Sequence, residues 1–230
     1  MGFSPDLGFD LPLLDGDVYD RVNQGGTRLR SVQLRGQFWS SIRAIAARSL
    51  AAEEANRAFA AIHVMAKGDL REAFRQEAHF FAVITNLTAA AEALMLASYV
   101  VKRGYERDAL TTQELRRGIA YMREQVQRAR ATQPLGDVLV NRTDPDECQT
   151  SKSLFDLRDF ILHRGQLPRN FNLSDAQVTI PSNPKDSADL WMHQLEYGPK
   201  TLEPFLYWLQ DLMGQALPRM ADALEALPIE

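Results

Sequence analysis

The chain has 230 residues, 45% hydrophobic and 24% charged, which is enough to bury one sizeable core and excludes wholesale disorder. A net charge of −4 and a pI of about 5.6 exclude a protein that grips nucleic acid chiefly by bulk positive charge. Arginine supplies 21 of the 26 basic residues. Its planar fork suits phosphate and carboxylate, although coding composition is the simpler cause of the bias.

Residues 1–30 are rich in Gly, Pro and Asp, with Gly25-Gly26 near the end, and read as an irregular N-terminal arm ahead of a single helical domain over 31–230. Leu11, Leu13, Leu14, Val18 and Tyr19 are the side chains able to anchor that arm in a groove. No basic region followed by an apolar run opens the chain, so a secretory signal is not expected and a cytoplasmic location is. Cys148 is the only cysteine, which rules out an intramolecular disulfide.

From Ser31 to Met65, Leu34, Phe38, Ile42, Ile45, Phe59 and Ile62 recur at three- and four-residue steps among good helix formers, the pattern of a long amphipathic helix. Gly68 ends it, and Asp69 with Glu72 resembles the capping box of a second long helix. That helix carries Phe74, Ala78, Phe81, Leu87, Ala91, Leu94, Met95 and Ser98 and stops at Gly104, forming an antiparallel hairpin with the first. Leu87 to Val101 is the most apolar stretch, but it is short for a bilayer and holds Glu92, so no membrane span is expected.

Thr111 with Glu114 predicts a third helix, with Leu115, Ile119, Met122 and Val126 on its core side. Arg116, Arg123 and Arg130 share its opposite face, the usual solvated side of such a helix. Asp144-Pro145-x-Glu147 combines an N-cap, a first-position proline and an early acid, predicting a helix from about Pro145 to Arg164. Residues 166–185 read as loop, with Gln177 to Ile180 as one short strand paired with Val138–Val140. A last helical region covers Leu190 to Leu227, with breaks at Gly198-Pro199 and Pro218 and a stripe of Phe205, Leu206, Leu209, Leu212, Met213 and Leu217. The sum is an all-α, up-down bundle of about five long helices with at most a minor two-stranded element.

The fourth of these helices concentrates the chemistry. At 100° per residue, Leu154, Leu157 and Ile161 fall in one sector, and Lys152, Asp156, Asp159 and His163 lie opposite. Asp159 and His163 are four apart, so the carboxylate can orient the imidazole. Arg158 falls beside Ile161 and Leu162, where a cation needs an acidic partner, a second chain or a ligand. Glu92, the acid in the apolar part of the second helix, is the candidate partner. On their own, His163 and Arg164 before Gly165 also make a well-finished helix C-terminus.

The run Leu157-Arg158-Asp159-Phe160-Ile161-Leu162-His163-Arg164 resembles the signature of the HEPN superfamily, helical domains of prokaryotic toxin–antitoxin and abortive-infection systems. That signature is an Arg, a polar residue, a short spacer and a His. The resemblance implies a helical bundle, a homodimer with a shared cleft, and metal-independent endoribonuclease activity on an RNA substrate, with an antitoxin protein as a further partner. It assigns Arg158, Asp159 and His163 as the catalytic set and requires no cofactor. His163 would serve as general base or acid, Arg158 would neutralise charge on the phosphoryl oxygens, and Asp159 would hold the ring, yielding a 2′,3′-cyclic phosphate. The alternative is a catalytically inactive binding or assembly module of the same fold. Less favoured is a metalloprotein using Asp156, Asp159 and His163 with His63, His79 or His193, since no metal-ligand spacing motif occurs.

Overall fold

Six α-helices are found among the described residues: α1 (Gly16–Gly25), α2 (Val32–Met65), α3 (Leu70–Arg103), α4 (Thr112–Arg128), α5 (Pro145–Arg164) and α6 (Pro199–Glu225). The computed structural model describes residues 13–65, 70–103, 108–128, 145–164, 170–172, 177–179 and 199–228. At 63–65, 70, 73, 122–128, 145–149, 160, 163, 164, 170–172, 177–179 and 199–201 it describes the backbone alone. The architecture is the expected all-α helical bundle.

The α2–α3 hairpin is the frame. Each helix has 34 residues and so extends roughly 50 Å at 1.5 Å per residue. Leu34, Phe38, Ile42, Ile45 and Phe59 of α2 are fully buried in the core, and the Phe59 ring lies 5.7 Å from that of Phe80 on α3. Helix α3 is the hub, because α2, α4, α5 and α6 all pack on it. Its second half is therefore buried almost all round, including Ala90, Ala91, Ala93, Leu94, Met95, Ala97, Ser98, Val100 and Val101. The segment Phe74–Arg103 is long and apolar enough to cross a membrane, so the expectation that this stretch is too short does not hold for the helix as a whole. Packing against four neighbours accounts for the same apolarity.

The first half of α3 is rotated from the expected face. Phe74 and Ala78 are exposed, and Gln76, Glu77, Phe80, Val83 and Ile84 turn inward instead. The inward set follows the Phe59–Phe80 contact, which fixes the roll of the helix more firmly than the wider Phe74–Ala78–Phe81 spacing.

The Thr111–Glu114 capping box forms as predicted. Thr111 donates from its backbone N–H and hydroxyl to Glu114 Oε2, both at 2.8 Å, and Glu114 N donates back to Thr111 Oγ1 at 3.2 Å. The cap proposed at Asp69, the arginines at 123 and 130 as side chains, and the strand at 138–140 lie outside the described residues or side chains. Strand β2 (Gln177–Thr179) pairs antiparallel with β1 (Asn170–Asn172), Phe171 opposite Val178.

Helix α6 begins at Pro199, the first-position proline that needs no amide partner, and continues through Pro218 where a break was expected. An interior proline costs ~3 kcal/mol. Leu212, Met213, Ala216, Leu217, Met220, Ala221 and Leu224 are all buried around it, and their combined burial outweighs that cost.

The N-terminal arm is the main correction. Over residues 13–30 it is ordered: Asp15 Oδ1 caps α1 by accepting from Asp17 N and Val18 N, and a 3₁₀ turn, Gly26–Arg28, follows. Leu13, Val22 and Leu29 are buried, while Leu14, Val18 and Tyr19 pack against the core as anchors. Arg21 bridges Asp222 and Glu225 of α6 at 3.1 and 3.0 Å, and Leu13 N donates to Glu53 Oε1 of α2 at 2.7 Å. Gly25 and Gly26 have ordinary right-handed dihedrals and are needed for closeness. A Cβ on Gly26 would stand 2.7 Å from the Phe38 ring, and one on Gly25 would stand 2.9 Å from Leu224 Cβ.

Replacing Gly26 by Ala is therefore expected to lower stability by about 1–3 kcal/mol through overpacking, read as a shift of the urea midpoint. An unchanged midpoint would mean that the 3₁₀ turn is not seated on Phe38 of α2 as described.

Candidate functional site

The site lies where α5 crosses α3. Leu154, Phe155 and Leu157 of α5 are buried, together with Ser151 and Ser153, so the embedded arc is wider than the Leu154–Leu157–Ile161 sector. Full burial of side chains such as Leu154 and Phe155 contributes roughly 1.5–3 kcal/mol each. Those apolar groups dock the helix; the polar groups above them set its chemistry.

Arg158 sits on this inward side with 19% of its side chain exposed. Its Nη2 donates to Glu92 Oε1 of α3 at 3.2 Å, the partner that the sequence pointed to. Asp159 Oδ1 approaches Arg158 Nε at 2.9 Å, but the buried Nε–H makes no hydrogen bond, so this contact is an ion pair by distance alone. The guanidinium carbon also stands 5.9 Å from the centre of the Phe155 ring. This cation–π support is a further contribution the sequence reading did not single out, although the three-residue spacing carries the signal. Glu92 is 28% and Asp159 43% exposed. The cluster thus opens to solvent through Asp159, with one cation held between two carboxylates.

Of the three expected catalytic residues, Arg158 and Asp159 are brought together. The backbone of His163 lies in the last turn of α5, one turn beyond Asp159, and its side chain is outside the description. On the same helix face, two turns before Arg158, Ser151 is fully buried, and its hydroxyl has no hydrogen-bond partner among the described residues. Among the described residues no group of three His, Cys, Asp or Glu side chains is placed to hold a metal ion. Asp156, Asp159 and His79 fall within that description; His63, His163, His193 and Cys148 do not.

Elsewhere the bundle is polished by close fits. Gly118 of α4 lies under Tyr99 of α3, where a Cβ would meet ring carbons at 2.6–2.7 Å, and Arg103 covers the same ring at 5.7 Å. Gln37 joins α2 to the start of α4, donating to the Leu110 carbonyl at 2.6 Å and accepting from Leu110 N at 3.3 Å.

Two measurements check this geometry. A double-mutant cycle with Arg158→Ala and Glu92→Ala should give a coupling of about 1–2 kcal/mol, between the values for exposed and buried pairs. Additive single effects would break the assignment. Ser151→Ala should be neutral or stabilising by about 1 kcal/mol, since it removes a hydroxyl that has lost its water without gaining a partner. A clear loss of stability would mean that the hydroxyl is bonded.

No protein-family model, curated protein or solved structure matches the chain, so the meaning of the site rests on its own residues.

Proposed function

We propose that the chain is a HEPN-like, metal-independent endoribonuclease that works as a homodimer in prokaryotic defence or toxin–antitoxin function, with an antitoxin as its protein partner. The observation that carries this reading is a guanidinium and a carboxylate held 2.9 Å apart on the helix whose last turn contains His163. The chemistry asks for those groups. The ribose 2′-oxygen attacks phosphorus, the P–O5′ bond breaks, and a 2′,3′-cyclic phosphate forms. His163 takes the 2′-hydroxyl proton or supplies one to the leaving oxygen. Arg158 neutralises the phosphoryl oxygens as charge grows on them, and Asp159 orients the imidazole. A site with one arginine and one histidine gains most from a second copy beside it, which is why a dimer belongs to the proposal.

A second reading has a specific observation in its favour. Arg158 already has a partner in Glu92, which is what a structural ion pair in a catalytically inactive binding or assembly module would look like. Because apolar burial docks α5, removing Arg158 should leave the bundle folded under either reading, and activity becomes a clean discriminator.

The purified protein should cleave RNA in EDTA. Arg158→Ala and His163→Ala should each reduce cleavage by at least about 100-fold, with helicity and native mass unchanged. Intact RNA with the wild-type protein, and an Arg158→Ala change that only lowers the melting temperature, would favour the inactive module.

A further inference from the structure

The two carboxylates at Arg158 belong to different elements. Asp159 is its neighbour on α5 and moves with it, whereas Glu92 reaches across from α3. Glu92 takes an Nη edge of the guanidinium, the same kind of edge on which an arginine binds a phosphate oxygen. We propose that Glu92 is an internal competitor for Arg158, a carboxylate held where an oxygen of an RNA phosphate would otherwise sit. The site then engages a phosphodiester backbone only when Glu92 gives way. The ribonuclease reading enters this inference only in naming RNA as the anion.

Three features carry it. Among the described side chains one cation stands between two carboxylates, so the Glu92 charge opposes a polyanion at the Nη edge while it stays in place. The Arg158 Nε–H is buried and makes no hydrogen bond among the described residues, so an anion from outside has to meet the guanidinium on the Nη side, where Glu92 stands. Glu92 is also partly open to solvent, and the apolar contacts of Leu154, Phe155 and Leu157 hold α5 when it lets go. Displacing Glu92 therefore does not require α5 to leave the bundle.

The test is binding of a fluorescein-labelled 2′-O-methyl oligoribonucleotide, which lacks the hydroxyl that cleavage needs, followed by anisotropy with the full chain in EDTA. Glu92→Gln keeps the shape and removes the charge. It should tighten binding by about fivefold or more, which is what one unit charge at ~4 Å is worth even in bulk water. The gain should vanish in the Glu92→Gln/Arg158→Ala double variant and shrink as salt is raised. Glu92→Asp, with its carboxylate drawn back by one methylene, should give a smaller gain and serves if Glu92→Gln fails to fold. Equal or weaker binding by both Glu92 variants, or a gain that persists without Arg158, overturns the proposal. A gain in binding with no cleavage of ordinary RNA by the wild type keeps the competitor and removes the ribonuclease. Cleavage with no gain does the reverse, and no binding by any variant removes both.

Discussion

The contact between Glu92 and Arg158 is the constraint on which the character of this bundle turns. Each residue stands on a helix that is otherwise largely apolar where the two meet, and each partly buried charge gains from having the other beside it. Together they are tolerable, and they fix how α5 is rolled against α3. The magnitudes separate two roles. Leu154, Phe155 and Leu157 supply most of the free energy that docks α5, whereas the ion pair supplies comparatively little energy and most of the orientation. Orientation decides which groups of α5 look outward, and it leaves Asp159 as the most exposed member of the cluster.

The rest of the fold supports that arrangement by making α3 a rigid hub. Close approach is achieved with small residues where helices meet: Gly118 beneath Tyr99, Gly26 against Phe38, Gly25 against Leu224. Polar residues then tie the connections to the frame, as Gln37 does for Leu110 and Arg21 does for the end of α6. A site on such a scaffold is carried by packed helices, which position side chains better than a loop would.

The sequence made the helices legible because their apolar periodicity is strong and their caps are explicit. The capping box at Thr111 sits where its residues place it, and the described part of the last helical region begins at Pro199, one of the two expected breaks. Glu92 was legible as a partner for Arg158 because an acid inside an apolar stretch and a cation inside an apolar sector are each incomplete alone. What sequence reading lost was tertiary in origin. Gly25 and Gly26 look like flexible breakers in one dimension, and only the neighbouring Leu224 and Phe38 reveal them as contact points. Pro218 looks like a stop until the burial on both sides of it is counted. The roll of the first half of α3 depends on Phe59 meeting Phe80, a long-range fact that local spacing does not contain. For the site, the pairing of Arg158 with Glu92 was readable, and the Phe155 contact was carried by its three-residue spacing from Arg158 although the reading did not single it out.

The central claim is that Arg158 is held by Glu92 in the free protein and released toward an anionic backbone. Nitrogen-15 NMR of the arginine side chains addresses it directly. The account predicts a separately resolved Arg158 guanidinium with slow rotation about its Nε–Cζ bond, and a shift of that signal when a short oligoribonucleotide is added. A freely rotating guanidinium that ignores the oligonucleotide would contradict it.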